Sequence, residues 1–350
     1  MNVTGRFNLI IIVAQLTYII LLADRALSGY RREGHLLLEI IPLVLDTDFA
    51  EGTVNAFLAI GDTITLIDTG NPGKESFQQL KTKLHKHDVT LRDLDKIVLT
   101  HIHIDHAGGI PYIQADTDLP IFVHEQGKGW INSSIDKFEK DQQFFQDFLQ
   151  SCGADPSKHI VQRHFKEENW RNVSYVKEGD TVLIGGKRFE VIHVPGHSQS
   201  DILMWNHETG DSFAGDHLIK AFSVNAFIEP PLLDGESRPK PLLQYRNSLE
   251  KVSRLPLNTI YPGHGDHFTN HKELIQTRLQ EQEKRCEQIL AILADNRKSI
   301  FEICQEMYPR LKGKTVFLGL SQIQGHLDLL ETRQKVSFNR NGSLVEYFSL

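Results

Sequence analysis

Residues 97–109 read Ile97-Val98-Leu99-Thr100-His101-Ile102-His103-Ile104-Asp105-His106-Ala107-Gly108-Gly109, placing three imidazoles and one carboxylate within six positions directly after an apolar run. A strand that ends at Leu99 and turns at once throws His101 and His103 to one side. The next turn and helix start then bring Asp105 and His106 round, so one loop can grip two metal ions. Neutral imidazole with a single carboxylate suits zinc first, with iron and manganese also compatible. A histidine-rich surface loop is the competing reading, and it does not account for four donors packed beside Gly-Gly.

One loop cannot complete two coordination shells, so further ligands are expected downstream at strand ends. Val191-Ile192-His193-Val194-Pro195-Gly196-His197 sets a histidine after an apolar run and a Pro-Gly turn. Ser212-Phe213-Ala214-Gly215-Asp216 does the same with an aspartate, and Thr259-Ile260-Tyr261-Pro262-Gly263-His264 repeats it with histidine. Each candidate sits where a strand stops and a glycine-containing loop begins, which lets backbone approach the ion while the side chain stands on a rigid base.

With these motifs in order, preceded by Leu66-Ile67-Asp68-Thr69-Gly70, the chain resembles the metallo-β-lactamase superfamily, in particular its glyoxalase II-like branch, from about Leu37 to Phe268. The resemblance implies that His101, His103 and His197 hold one metal, that Asp105, His106 and His264 hold the other, and that Asp216 bridges them. It also implies that Asp68 orients the ligand loop through hydrogen bonds from outside the ligand set, as metal sites generally need.

Seven such ligands leave each ion open to solvent, whereas structural zinc is closed by four protein ligands that are commonly thiolates, and no cysteine lies near these motifs. Two divalent cations per chain, most readily zinc, would pull the pKa of a bridging water from about 15.7 toward about 7 and polarise a carbonyl or phosphoryl oxygen. Hydrolysis by bridging hydroxide is the expected reaction. The candidate catalytic carboxylates, Asp105 and Asp216, neutralise only part of the cations' charge, which favours an anionic small-molecule substrate.

The chain has 17 histidines, and most are expected to be bystanders. His193 reads as packed or hydrogen-bonded; His217 and His267 adjoin ligand motifs and are weaker candidates for substrate contact. His85, His87, His159, His164 and His271 read as solvated. A length of 350 residues permits one large core and a smaller domain. The net charge of −7 gives no general pull toward nucleic acid or acidic membrane. Three scattered cysteines, Cys152, Cys286 and Cys304, argue against a disulfide framework and for a reducing, cytoplasmic setting.

Residues 1–35 form an apolar extension in which Asn8–Ala23 is short for a spanning helix and a poor signal peptide. Translation starting later, near Arg31-Arg32-Glu33-Gly34, is the preferred reading, with signal and anchor as alternatives. No stable membrane partner is expected. Periodicity assigns strands at 37–45, 55–58, 63–67, 96–99, 121–124, 181–184, 189–194, 202–205 and 211–214, a helix at 75–84 and a hairpin at Gly185-Gly186. The fold class is α/β (α+β): an αββα sandwich over 36–275 with its ligands along one rim. Residues 126–172 read as a helical lid whose Phe144, Phe145 and Phe148 shape substrate or simply cover the core. The Pro-rich stretch Lys220 to Pro241 reads as a rigid loop bordering the pocket.

Residues 279–350 resemble the winged-helix appendage of some hydrolases in this superfamily. Ser299-Ile300-Phe301-Glu302 and Ser321-Gln322-Ile323-Gln324 read as capping boxes, and Asn341-Gly342 as a hairpin turn. The helix expected to enter a major groove, Ser321–Glu331, has no Lys or Arg, so a packing or homodimerisation module is favoured over a nucleic-acid reader. The leading function is metal-dependent hydrolysis of an ester or thioester. A phosphodiesterase or endoribonuclease of winged-helix type is the second reading, and a catalytically silent metal-binding protein of the same fold is the third.

Overall fold

The inner strands grow from short β-branched and aromatic runs that are buried on both faces, as in Thr53–Ile60 and Ser212–Gly215, whereas the edge strand Thr181–Ile184 alternates between buried and exposed. The computed structural model describes residues 31–32, 35–48, 52–159, 164–165, 167–233 and 235–350, so the apolar stretch Asn8–Ala23 lies outside the described residues. Strands β1 (Glu39–Asp46), β2 (Thr53–Ile60), β3 (Ile64–Ile67), β4 (Lys96–Val98), β5 (Ile121–His124) and β6 (Val173–Val176) form one sheet in that order. The first three strands run antiparallel, and β3 through β6 run parallel. Helix α1 (Lys74–His85) makes the β3-α1-β4 crossover, and α2 (Ile104–Ala107) and α3 (Ile110–Asp116) follow β4.

The second sheet contains β7 (Thr181–Ile184), β8 (Lys187–His193), β9 (Ile202–Trp205), β10 (Ser212–Gly215) and β11 (Ile260–Pro262), in spatial order β11-β10-β9-β8-β7. Gly185-Gly186 makes the β7–β8 turn with both residues at positive φ, which glycine adopts without a Cβ clash. Period-two alternation sorts side chains between layers. On β2, Phe57 and Ala59 join Phe189, Val191, Ile202, Met204 and Phe213 between the sheets, while Val54, Ala56 and Leu58 face Phe77, Leu80 and Leu84 of α1.

The outer face of the second sheet is covered by α5 (Pro241–Ser253), α6 (His271–Ile292), α7 (Ile300–Met307) and α8 (Val316–Thr332), completing the αββα sandwich. Helix α4 (Ile135–Ser151) belongs to the stretch read as a lid, and its Phe145 and Phe148 rings pack on Phe317 of α8. Those aromatics therefore cover core. The C-terminal segment adds β12 (Lys298–Ser299), β13 (Val336–Asn341) and β14 (Leu344–Ser349) in the order β12-β14-β13, the last two joined at Asn341-Gly342 as expected. One apolar cluster runs from Ile192 and Leu203 of the sheet through Leu242 and Ile289 to Leu327 and Val345. Helix α6 itself passes through residues 275–279. No helix among the described residues is long and apolar enough to cross a membrane.

Two local expectations are corrected. Ser299 does form its capping box with Glu302, but Ser321 opens no helix. Helix α8 begins at Val316, because Val316, Leu320, Ile323 and Leu327 extend one buried face, and Ser321 lies inside it. His271, expected to be solvated, is buried, with its Nε2 at 3.0 Å from the Leu255 carbonyl.

Candidate metal centre

Every expected ligand emerges at the carboxyl end of a strand. His101 and His103 follow β4, Asp105 and His106 lie in α2, His197 follows β8, Asp216 follows β10 and His264 follows β11. All seven converge. His101 Nε2 lies 3.1 Å from His103 Nδ1, which lies 2.9 Å from His197 Nε2. His264 Nε2 is 3.5 Å from Asp105 Oδ2 and 3.4 Å from Asp216 Oδ2. Asp216 stands between the two groups, its Oδ1 at 3.3 Å from His106 Nε2 and its Oδ2 at 3.4 Å from His197 Nε2. Donor atoms of His101, His103 and His197, and of Asp105, His106 and His264, fall within 4.8 Å of one another in each trio.

The outward nitrogens explain why the inner ones converge. His106 Nδ1 donates to Asp68 Oδ2 at 2.8 Å, His197 Nδ1 donates to the Asn225 carbonyl at 2.9 Å, and His264 Nδ1 donates to the Thr53 carbonyl. These acceptors set the tautomers and turn the Nε2 lone pairs inward. Among the described residues, His106 Nε2 and Asp216 Oδ1 are buried without a hydrogen-bond partner. Inward lone pairs facing two carboxylates repel one another unless a cation sits among them, and the donor set of imidazoles plus carboxylates fits divalent zinc, iron or manganese.

Protons reveal the same demand for positive charge. Burial works against charging His106, yet Asp216, Asp105 and Asp68 hold it well above the ordinary histidine range. Burial likewise opposes charge on His264, and Asp105 and Asp216 raise it to about 9. Burial would push Asp216 up, but His106 keeps its carboxyl well below the usual range.

Asp68 sits directly after β3 with a φ of 57°, a region few non-glycine residues occupy and one that marks strain tied to function. Its Oδ1 accepts the Thr100 amide at 2.8 Å and its Oδ2 accepts the Thr100 hydroxyl at 2.7 Å. Since that hydroxyl proton goes to Asp68, the Thr100 oxygen is left to accept from His101 Nδ1 at 3.1 Å. One carboxylate thus orients His106 directly and His101 through Thr100. Glycine at 263 is required for a different reason. A Cβ there would collide with Asp216 Oδ1 and His106 Cε1.

Thr100, the Asn225 carbonyl and Asp201 escaped the sequence reading. Buried Asp201 places Oδ1 3.6 Å from His101 Nδ1, and its Oδ2 accepts the Ser198 amide at 2.9 Å. The loop at 220–241 borders the cage as expected. The Phe227 ring lies 5.6 Å from His103 and 5.2 Å from His197, and Phe222 lies 5.8 Å from His264. The neighbouring histidines stand apart from the ligand trios. His193 stacks on His124 at 3.9 Å, His217 is buried against Tyr245, and His267 is exposed.

Residues 50–264, which include all seven candidate ligands, match the family model described as the metallo-beta-lactamase superfamily. The chain belongs to that superfamily. It is 30% identical over 315 residues to the probable metallo-hydrolase YqjP of Bacillus subtilis, covering 89% of this chain and 97% of that one. It is 24% identical to an atrochrysone carboxyl ACP thioesterase of Aspergillus fumigatus, over 69% of this chain and 60% of that protein. In three dimensions it is similar to a metallo-beta-lactamase family protein of Thermus thermophilus, with a TM-score of 0.74, 21% identity, and coverage of 89% of this chain and 98% of that one. The protein is a metallo-hydrolase of this superfamily, with a His/Asp cluster compatible with two divalent metals.

Proposed function

We propose that the protein hydrolyses an ester or thioester of an anionic small molecule at a dinuclear centre, with zinc as the preferred metal. The observation that carries this reading is the convergence of seven donors beneath the partly buried Phe222 and Phe227 rings. His101, His103 and His197 would hold one ion, Asp105, His106 and His264 the other, and Asp216 both. When bound, two such ions supply hydroxide at neutral pH from a shared water and polarise the carbonyl under attack. Asp105, at the less buried edge of the trio, would be placed to accept a hydrogen bond from such a water. Phe222 and Phe227 narrow solvent access, and an excluded site strengthens each electrostatic contact within it. A thioesterase name among the relatives supports the substrate class.

The phosphodiesterase and endoribonuclease reading is disfavoured by the placement of cations and of α8. Arg278 donates to the carbonyls of Ile219, Lys220 and Phe222, and Arg238 pairs with Asp328 at 2.6 Å, so both guanidiniums brace the loop. In α8, residues 319–330 are buried apart from Gln322, which withholds that face from a nucleic-acid groove. We read 279–350 as a winged-helix-like packing module, the setting as cytoplasmic, and a second copy of the chain as its candidate partner. Metal-loaded and chelator-treated protein should be assayed against thioester, lactone and short RNA panels. Chelator-sensitive thioester or ester turnover is expected; cleavage of RNA alone would overturn the proposal.

A further inference from the structure

Asn225 joins the metal cage to helix α8. Its backbone oxygen accepts the His197 Nδ1 proton at 2.9 Å, and its side-chain Nδ2 donates to the Leu318 carbonyl at 3.0 Å. Three residues on, the Ile228 amide donates to Ser321 Oγ at 2.7 Å, and Ser321 Oγ in turn donates to the Ala226 carbonyl at 3.4 Å. Between these anchors Phe227 lays its ring against His103 and His197. Residues 225–228 have no helical or strand hydrogen bonding of their own, so their position is set by what they are tied to. A serine inside a helix commonly returns its hydroxyl to its own backbone. Ser321, fully buried, bonds this strap instead.

We infer that Ser321 and Asn225 are positioning residues for the His101, His103 and His197 side of the cage, which makes α8 a part of the metal centre rather than a detached appendage. Three hydrogen bonds between the strap and α8 hold it in place, the strap's carbonyl fixes the tautomer and ring angle of His197, and its phenyl ring backs two ligands at once. The inference does not depend on which bond the enzyme hydrolyses. Partners behind metal ligands ordinarily change metal affinity by about 10–100-fold when removed.

The test is a Co²⁺ titration of chelator-treated full-length protein, followed by visible absorption and run beside melting of the metal-free protein. Ser321→Ala and Asn225→Ala are compared with Ile323→Val, a fully buried position of the same helix that makes no bond to the strap. Ser321→Ala and Asn225→Ala should weaken one of two cobalt equivalents by about 10-fold or more and alter its spectrum. The other equivalent, and both equivalents in Ile323→Val, should bind as in the parent. Wild-type binding in Ser321→Ala and Asn225→Ala would overturn the inference, and so would equal weakening in Ile323→Val. Should Ser321→Ala fail to fold, the half-buried Asn225→Ala decides by the same criterion.

Discussion

Asp68 accepts the Nδ1 proton of His106 across 2.8 Å, with both side chains sealed from solvent. The same carboxylate takes two donors from Thr100, so every proton aimed at it requires an acceptor. Asp68→Asn places an amide donor among donors. The expected outcome is a loss of about 10–100-fold in affinity at the site containing His106, with metal content falling from about two ions toward one after dialysis. Elemental analysis checks this, and two tightly held ions in the variant would contradict the role assigned to Asp68.

Gly263 gives a second prediction from a backbone position. Gly263→Ala drives a methyl group into Asp216 Oδ1 and the His106 ring, so the Asp216 carboxylate has to move. Metal binding should fall sharply while far-ultraviolet circular dichroism stays near the parent's. A variant that binds metal and turns over normally would show that the close approach of Gly263 to Asp216 is dispensable.

His103→Ala and Asp216→Asn should each abolish turnover while leaving the fold largely intact, since the ligands stand on strand ends whose cores do not include them. Activity against the best ester or thioester substrate, measured beside bound metal, is the check. Undiminished activity in either variant would refute its place in the cage.

Acid stability provides a prediction away from the site. Burial depresses His326 to about 4, while its Nδ1 donates to the Gln322 carbonyl at 2.7 Å. The unfolded chain, with a histidine pKa of about 6.5, therefore takes up this proton first as pH falls. Stability should drop between about pH 6.5 and 4, by up to about 1.4 kcal/mol per unit from this residue, and be unaffected by it above that window. Urea unfolding of metal-free protein at pH 7.5 and 5 should show a smaller difference in His326→Gln. An unchanged difference would remove His326 from the account.

The ligands were legible in the sequence because their signals are local. His101 to His106 sit within six positions, and His197, Asp216 and His264 each follow an apolar run and a glycine. Most strands of the two sheets were legible for the same reason, because a short apolar run between turn residues is a local signal, while Val173–Val176, beside the stretch read as a helical lid, was not marked. Ser321 misled because the letters of a capping box do not reveal whether a helix has already begun at Val316. His271 misled because polar neighbours in sequence say nothing of the Leu255 carbonyl packed against it.

The amino-acid sequence by itself determined the donor set, the sheet-ending loops that carry it and the family to which the chain belongs, since each depends on residue type and spacing over a few positions. Only the tertiary structure decided how the cage is aimed. Asp68 serves two histidines, Asn225 offers a carbonyl to a third, and Ser321, 96 residues further on, holds that carbonyl's strap in place. Backbone oxygens have no letter of their own, and a hydrogen bond between distant segments exists only once packing has brought them within about 3 Å.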